Sequence, residues 1–394
     1  MGRPAAQILI LKSGEATPDA EERLVSRKVR LALDATDAAH PEPTGIGIYA
    51  RKLIEALARR KKAGSEPATE YMLCFRPGPY FRGAWRREWS EGFRVSVLLD
   101  PWLKYPNATL FHGMSQRLAK HSYPAQVVTL HDRYPLVSEE YASAEFRRLM
   151  TERIEDAIRR AKRIIAVSEA VRDRLLWYDA ALGPKIRVVL HGVDPPRAVA
   201  PEEIAAFRER VLGFPVGERF FLNVGAIQVR KNISNIALAL QQLPGYRLVL
   251  AGDDGYGAEG IHSLIRKEGL ADRIRVLGHL QTPELRLLYA AATVLIFPSF
   301  EETFGLPIIE AMNYGLPVIT ADVAATREIA GGAAKLVDPH SVGEIRDAMR
   351  LVMEDEGTAR ALVEKGRRRA AEFTWEKCAD QTWAVYQEAL GEAS

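Results

Sequence analysis

Two glutamates, a pair of basic residues and one histidine are the side chains of this sequence whose types and positions could support catalysis. Glu302 and Glu310 are separated by seven residues, and Gly305 lies between them. Free amides at a helix N-terminus attract anions, and a glycine lets a ligand approach them closely. Two carboxylates beside an anion are unfavourable unless they accept hydrogen bonds from hydroxyl groups that flank a phosphate. A nucleotide sugar has that layout, although the same spacing also fits two solvated glutamates at an ordinary turn.

The positions of the two glutamates along the chain predict different roles. The apolar, β-branched run 293–297 is typical of a strand buried in a parallel sheet, and a helix is expected to follow it. Glu302 lies just before that helix and is predicted to contact the transferred sugar. Glu310 lies about two turns inside it and is predicted to accept hydrogen bonds from ribose hydroxyls. Gly305 and Leu306, at the helix N-terminus, are predicted to bind the donor phosphates.

A second candidate site follows another predicted strand, 220–224, which ends in Gly225. Arg230 and Lys231 come next, at the predicted start of a helix. A guanidinium offers a planar fork to phosphate oxygens and an ammonium offers a point charge. The adjacent pair therefore predicts a clamp for a diphosphate, with a solvated basic surface as the alternative.

His131 follows the predicted strand 127–130 and precedes Asp132. Ligands of open α/β sheets bind at the carboxyl ends of the strands, so this histidine is a candidate catalytic residue. A lone histidine at such a position is also compatible with a purely structural role.

Gly45 and Gly47 lie between the first clear strand, 29–34, and a predicted helix over 49–62. A glycine loop there would let the backbone approach a phosphate, and both glycines are candidate donor-binding residues. Ala50 leaves the dinucleotide fingerprint GxGxxG incomplete, so a plain tight turn is the alternative.

Short apolar strands alternate with helices along the whole chain, which predicts an α/β fold with two doubly wound parallel sheets. Prolines at 195, 196 and 201 indicate a linker. We therefore predict an acceptor-side domain over residues 1–197, a donor-binding domain over 198–374 and a C-terminal helix over 375–394. The further strands are predicted at 71–75, 94–98, 108–111, 126–130, 163–167, 186–190, 247–250, 274–277, 318–319 and 335–337.

Length and composition predict two domains, each with its own core. We also expect a cytoplasmic protein, for the reasons given below. The chain has 394 residues, of which 47% are hydrophobic. We expect neither a membrane-spanning helix nor a secretory signal, because the apolar runs are too short. Cys74 and Cys378 are the only cysteines, and we expect both to pack as small apolar residues.

Charge is distributed unevenly. The first 197 residues contain 33 Lys and Arg against 24 Asp and Glu, and the remainder contain 21 against 27. The basic half is expected to face an acidic partner, either an anionic membrane surface or a phosphorylated acceptor. Three stretches suggest peripheral attachment to a membrane: Arg51-Lys52, Arg59-Arg60-Lys61-Lys62 and Trp85-Arg86-Arg87-Glu88-Trp89. No aromatic-interleaved RNA motif accompanies them, so we do not expect nucleic acid to bind.

Together these motifs resemble the retaining, nucleotide-sugar-dependent group 1 glycosyltransferases of the GT-B fold. The likeness covers residues 44–390 and is densest over 220–337. Its most specific part is the pair of glutamates separated by seven residues. The other matching segments are Gly225 to Asn232, Gly45-Ile-Gly47, Ile164 to Glu169 and His191-Gly192-Val193-Asp194. Many members have Arg, Gly and Asn where this chain has Ala226, Thr303 and His191, which leaves the sugar and the acceptor open.

The resemblance implies two Rossmann-like domains that face each other across a cleft, with the last helix crossing back to the first domain. It implies that Arg230 and Lys231 hold the donor diphosphate, that Glu302 orients the sugar, and that His131 approaches the sugar from the opposite domain. By overall similarity we expect a mannosyltransferase-like enzyme of cell-surface polysaccharide assembly. Its donor is expected to be GDP-mannose, with UDP- or dTDP-sugars as alternatives, and its acceptor a glycan or polyprenyl-diphosphate-linked glycan.

The sequence has no Asp-x-Asp motif of the kind that holds a diphosphate through a cation, so we expect no metal, no cofactor and activity that survives EDTA. Three other classes stay open: a nucleotide-sugar epimerase or phosphorylase of the same fold, a catalytically silent nucleotide-sugar-binding scaffold, and a nicotinamide dehydrogenase. The incomplete glycine fingerprint disfavours the dehydrogenase.

Overall fold

A computed structural model of the chain describes residues 29–40, 44–64, 69–81, 92–100, 107–131, 141–214 and 217–391. The extension before residue 28, the stretch 85–89 and Asp132 lie outside these residues. The described part consists of two parallel sheets, each covered by helices.

The first sheet has seven strands in the order β3-β2-β1-β4-β5-β6-β7, all paired in parallel. The order reverses between β1 and β4, so a crevice opens there at the carboxyl edge of the sheet. The strands are β1 (Val29–Asp34), β2 (Thr69–Phe75), β3 (Phe93–Val97), β4 (Leu110–Gly113), β5 (Ala125–Leu130), β6 (Arg163–Ala166) and β7 (Ile186–Val188).

The second sheet has six parallel strands in the order β10-β9-β8-β11-β12-β13, which repeats the topology of the first. Its order reverses between β8 and β11, the strands that precede the basic pair and the two glutamates. The strands are β8 (Phe220–Val224), β9 (Arg247–Ala251), β10 (Ile274–Val276), β11 (Val294–Phe297), β12 (Val318–Ala321) and β13 (Lys335–Val337).

Helices cover both sheets. Those of the first domain are α1 (Gly45–Lys62), α2 (Pro77–Phe81), α3 (Ala144–Arg160) and α4 (Glu169–Tyr178). They are followed by α5 (Pro201–Phe207), α6 (Ile233–Gln241), α7 (Ala258–Lys267), α8 (Thr282–Ala291), α9 (Leu306–Asn313), α10 (Ala324–Ala330), α11 (Val342–Glu354), α12 (Glu356–Ala370) and α13 (Trp375–Leu390).

The last helix, α13, packs on the first domain although it follows the second in sequence. Trp375, Val385 and Tyr386 are buried in the same apolar cluster as Tyr49 and Leu53 of α1. Burying these large side chains ties the C-terminus to the first domain, because apolar surface is removed from water on both helices. The crossing that the family resemblance implied is therefore present.

The predicted α/β fold with two doubly wound parallel sheets is confirmed, and so is each predicted strand, with ends that differ by one or two residues. Cys74 and Cys378 are buried and unbridged, as expected. The predicted glycine loop after β1 is wrong, because Gly45 and Gly47 lie in the first turn of α1. Thr44 has an extended backbone, and its carbonyl accepts from the amide of Ile48 at 2.9 Å, which starts the helix before the glycines.

Candidate active site

A cluster of three charged side chains, of which two are buried and Arg230 is half-buried, lies at the switch point of the second sheet. One carboxylate oxygen of Glu302 accepts hydrogen bonds from Arg230 Nη1 at 2.5 Å and from Lys231 Nζ at 2.9 Å. The ammonium of Lys231 also lies 4.4 Å from the centre of the Phe297 ring. Glu302 and Lys231 are only 6% and 8% exposed, so the basic pair is not the solvated surface that the alternative interpretation required.

The cluster holds Glu302 in its ionised form. Burial by itself raises the pKa of this carboxyl, but Lys231 and Arg230 outweigh burial and lower it below its usual value. Within the described residues, the cluster places a guanidinium and an ammonium on the same carboxylate. An anionic ligand that displaced Glu302 would therefore meet two preorganised donors.

The turn that carries the basic pair is fixed by residues to which the sequence analysis gave no role. Asn232 has a positive φ of 60° and donates its side-chain amide to the carbonyls of Pro298 and Pro339, at 2.9 and 2.6 Å. Gly252 allows the end of β9 to approach this turn, since a Cβ there would lie 2.2 Å from the carbonyl oxygen of Gly225. The Ala-Gly-Asp sequence after β9 was the available signal for that approach.

The N-terminus of α9 opens on a left-handed glycine. Gly305 has a φ of 98°, and a Cβ there would lie 3.0 Å from Ile308 Cδ1, so a side chain would be strained. Leu306 begins the helix and faces the first domain, because a Cβ on Gly45 would lie 3.9 Å from its side chain. The predicted donor-binding residues Gly45 and Leu306 thus lie opposite each other across the domain boundary.

Glu310 is the fifth residue of α9, just over one turn into the helix rather than two. Its carboxylate accepts a hydrogen bond from Tyr289 Oη at 2.7 Å. Burial raises the pKa of this carboxyl, the Tyr289 hydroxyl lowers it, and the nearby carboxylate of Asp194 raises it. Glu310 is therefore an acceptor of hydrogen bonds inside the cleft, and no cation of the described residues pairs with it.

A cavity of about 270 Å³ opens beside Glu310, between the two domains. The first domain contributes Lys52 and Asp194, which form an ion pair of 2.8 Å. The second domain contributes Arg286 and Tyr314. Its apolar walls and convergent polar groups are those of a small-molecule site. The cavity gives Glu310 access to a ligand and lies on the side of Leu306 that faces the first domain.

His131 lies at the carboxyl end of β5 and is nearly fully buried. Its Nε2 donates a hydrogen bond to the carbonyl of Met114 at 2.8 Å, which places the proton on Nε2 and leaves Nδ1 as an acceptor. Its ring is stacked on His191 at 5.4 Å and meets Tyr49 edge-on at 4.6 Å. Burial lowers the pKa of His131 to about 4, so this histidine is neutral near pH 7.

A chain of buried hydrogen bonds supports Tyr49 and, through its ring, His131. Tyr49 Oη lies 3.0 Å from Thr129 Oγ1, which lies 2.8 Å from Nε2 of His112. The other ring nitrogen of His112 lies 2.6 Å from Tyr386 Oη of α13. The C-terminal helix therefore supports the packing around His131. No local pattern in the sequence indicated this series of hydrogen bonds.

The structure brings Arg230, Lys231 and Glu302 into direct contact but connects His131 to them only through intervening rings. His191 packs on His131 and also meets Phe304 edge-on at 4.5 Å, and Phe304 is the second residue after Glu302. Gly47 is buried within α1. Within the described ranges, no group of three His, Cys, Asp or Glu side chains is arranged to hold a metal ion.

The buried histidines predict a loss of stability in mild acid. Burial lowers the pKa of His112 to about 3 and that of His131 to about 4, so the unfolded chain binds protons first as the pH falls. The free energy of unfolding should therefore decrease from about pH 6.5 downwards, by about 2 kcal/mol per histidine at pH 5. Urea denaturation at pH 7 and pH 5 measures this decrease.

The free energy of unfolding of His131→Asn should change less between pH 7 and pH 5 than that of the parent. The control His340→Asn replaces an exposed histidine, and its free energy of unfolding should change as much as that of the parent. An unchanged pH dependence in His131→Asn would show that this histidine does not resist protonation in the folded protein.

Comparison with known proteins agrees with this architecture. Residues 206–369 match the family described as "Glycosyl transferases group 1", and residues 43–197 match the family described as "Glycosyltransferase Family 4". The chain is 30% identical to O-antigen chain mannosyltransferase B of Escherichia coli, over 71% of this chain and 74% of that protein.

It is also 34% identical to D-inositol 3-phosphate glycosyltransferase of Mycobacterium bovis, over 52% of this chain and 46% of that protein, so it spans about half the length of that relative. Among solved structures, sucrose-phosphate synthase from Thermosynechococcus elongatus superposes with a TM-score of 0.71 at 24% identity, covering 93% of this chain and all of that one. The fold, the two family matches and the mannosyltransferase likeness lead to one conclusion: this chain belongs to the group 1 glycosyltransferases and is a hexosyltransferase of the GT-B fold.

Proposed function

We propose that the chain moves mannose from GDP-mannose to a glycan or polyprenyl-diphosphate-linked glycan in cell-surface polysaccharide assembly, with retention of the anomeric configuration. The observation that carries the proposal is the buried cluster in which Glu302 accepts hydrogen bonds from both Arg230 and Lys231. The nucleotide sugar is its only small-molecule requirement, and neither a cofactor nor a metal is part of the proposal.

The basic pair serves the leaving group. When the bond between the sugar and the diphosphate breaks, negative charge grows on the phosphate oxygens. Arg230 and Lys231, held by the turn after β8 and next to the N-terminus of α9, stabilise that charge without further reorganisation. Electrostatic stabilisation of this kind is the main catalytic contribution in our proposal.

The two glutamates divide the remaining contacts. Glu310 accepts hydrogen bonds from the ribose hydroxyls, which is consistent with its position in the cleft and with the hydrogen bond that it already accepts from Tyr289. Glu302 leaves the basic pair when the diphosphate arrives and then orients the sugar hydroxyls. Each glutamate thus contacts a different part of the donor.

Retention is proposed because the resemblance to the retaining enzymes implies it, and because Glu302, once it leaves the basic pair, is taken up by the sugar hydroxyls and does not activate a water or hydroxyl for back-side attack. The acceptor hydroxyl then attacks the face that the leaving phosphate occupies, and a phosphate oxygen takes its proton. His131, neutral and with Nδ1 as an acceptor, orients a sugar hydroxyl from the first domain. Closure of the two domains excludes water from the reacting atoms.

The choice of mannose and of a polysaccharide acceptor draws on the likeness to an O-antigen chain mannosyltransferase. A donor screen with GDP-mannose, UDP-glucose and a dTDP-sugar, each with a lipid-linked glycan, tests it. We expect transfer from GDP-mannose and, by NMR of the product, an α-mannosidic bond made from the α-linked donor. Transfer from another donor alone, an inverted product, epimerised donor or dependence on inorganic phosphate would contradict the proposal.

Contact with an anionic membrane is the proposed means of reaching a lipid-linked acceptor. None of the described helices combines the length and apolar character that a membrane crossing needs. Part of the positive charge at the C-terminal end of α1 is neutralised by ion pairs with the last helix, because Arg59 pairs with Glu376 at 2.9 Å and Arg60 pairs with Asp380. The proposal therefore rests on the uneven charge of the whole first domain rather than on these two arginines.

Flotation with vesicles that contain anionic lipid should carry the protein upwards at low salt, with less binding as salt increases, because each basic residue near such a surface contributes about 1 kcal/mol. Vesicles of zwitterionic lipid are the control. A protein that stays at the bottom of the gradient with both vesicles would refute membrane contact through charge.

A further inference from the structure

The N-terminus of α4, in the first domain, is bonded to the second domain at two points. Ser168 Oγ donates a hydrogen bond to the carbonyl of Thr303 at 2.6 Å. The carboxylate of Glu328, in α10, accepts from the backbone amides of Glu169 at 2.9 Å and Ala170 at 3.2 Å. These three bonds cross the domain boundary, and none of them involves the residues proposed above to contact the donor.

We propose that Ser168 and Glu328 form an interdomain clasp that holds the domains closed and positions the segment carrying Glu302 for transfer. They are positioning residues, since neither touches the reacting atoms. The inference rests on the role proposed for Glu302, and it adds a specific connection between that residue and the first domain.

Each residue of the segment 302–305 is anchored separately. Glu302 is bound by the basic pair, the ring of Phe304 lies against His191, and Gly305 starts α9 in a left-handed conformation. The carbonyl of Thr303, between them, accepts the hydrogen bond from Ser168. A shift of Ser168 away from Thr303 would therefore act directly on the backbone next to Glu302.

Ser168 is well suited to this task because it is completely buried and has a fixed orientation. Its hydroxyl accepts a hydrogen bond from the amide of Val171 at 3.2 Å, as the N-cap of α4, while it donates to Thr303. Both capacities of the hydroxyl are thus used, one within the first domain and one across the boundary. Breaking the contact with Thr303 would leave a buried donor without a partner, which favours the closed arrangement.

Glu328 completes the clasp from the other side. Free amides at a helix N-terminus carry partial positive charge, so a carboxylate is a favourable partner for them. The guanidinium of Arg369, in α12, donates to the carbonyls of Glu328 and Ile329, at 2.7 and 3.0 Å, and so fixes the end of α10 that carries this carboxylate. Each domain therefore supplies a rigid element to the contact.

Breaking the clasp should lower turnover more than it lowers nucleotide binding. A nucleoside diphosphate binds mainly to the second domain, whereas orientation of the sugar and exclusion of water require both domains. We expect Ser168→Ala and Glu328→Ala each to reduce kcat by about 10-fold, the effect of one or two hydrogen bonds, with GDP affinity within about twofold of the parent. The ratio of donor hydrolysis to transfer should rise in both variants.

The experiment compares Ser168→Ala, Ser168→Thr, Glu328→Ala and the double variant Ser168→Ala/Glu328→Ala. The threonine keeps the hydroxyl and should restore kcat. In a clasp that forms and breaks as a unit, losing either contact already releases the other, so the double variant should lose less than the product of the two single losses. Asp355→Ala, which removes the exposed N-cap of α12, controls for the loss of a helix cap and should keep the parent ratio of hydrolysis to transfer.

Small-angle X-ray scattering of the same variants without substrate gives a readout that does not depend on activity. We expect a larger radius of gyration for Ser168→Ala and Glu328→Ala than for the parent and for Asp355→Ala. An unchanged radius, or fully multiplicative losses of kcat, would overturn the clasp. If the parent itself transfers no sugar, the proposed donor or acceptor is wrong. The radii of gyration of the variants would then still test the clasp.

Discussion

Replacement of Lys231 by alanine is expected to lower kcat/KM by about 10²- to 10³-fold, the usual loss when one preorganised donor to a developing negative charge is removed. Lys231 is buried, lies over the ring of Phe297 and donates to both carboxylate oxygens of Glu302, at 2.9 and 3.2 Å. Its position is therefore fixed before the donor binds, so the charge that grows on the leaving phosphate is met without reorganisation. Steady-state kinetics with the donor that the screen identifies measures the loss.

Two further variants separate the charge of Lys231 from its packing. Lys231→Arg keeps a cation and should retain more activity than Lys231→Ala, while Lys365→Ala removes an exposed lysine and should behave as the parent. The alanine variant should also be less stable, because the buried carboxylate of Glu302 then loses its two hydrogen bonds from Lys231. A kcat/KM within threefold of the parent in a folded Lys231→Ala protein would remove this lysine from the mechanism.

The architecture could be predicted from the sequence because its determinants are local. Runs such as 220–224 and 294–297 are short, apolar and bounded by glycine or proline, and each is a buried parallel strand in the structure. The last helix was predicted to start at Trp375, where it does start, whereas it ends at Leu390 rather than at residue 394. The start of α1 was missed because two glycines suggested a loop, whereas the buried face of that helix extends through Gly47.

The arrangement within the site could not be predicted to the same degree, because it depends on contacts between residues that are distant in sequence. Glu302 was assigned to the sugar and Arg230 to the phosphate, and nothing in their spacing indicated that they bind each other across 72 positions. Ser168 and Glu328 were hidden for the same reason, since a serine before a helix reads as an ordinary cap. Patterns in sequence identify which residues lie at the carboxyl edges of the sheets, whereas packing decides which of them pair.

The two glutamates are expected to respond differently to replacement by glutamine. Glu310→Gln should weaken binding of GDP and of GDP-mannose alike by about 10- to 150-fold, because one charge-assisted hydrogen bond to the ribose is lost and both ligands carry the ribose. Glu302→Gln should lower kcat by a similar factor through loss of sugar orientation. Glu302→Gln should not weaken the binding of GDP. In the free protein the carboxylate of Glu302 occupies Arg230 and Lys231, and the neutral amide of the variant competes less with the diphosphate for these two residues.

The most direct test is calorimetric titration of GDP into the parent, Glu302→Gln and Glu310→Gln. It measures whether the donor diphosphate replaces Glu302 on Arg230 and Lys231. We expect Glu302→Gln to bind GDP as tightly as the parent or more tightly, and Glu310→Gln to bind GDP clearly more weakly. Equal losses of GDP affinity in the two variants would contradict this expectation, because Glu302 would then contribute to nucleotide binding instead of competing with the diphosphate for Arg230 and Lys231.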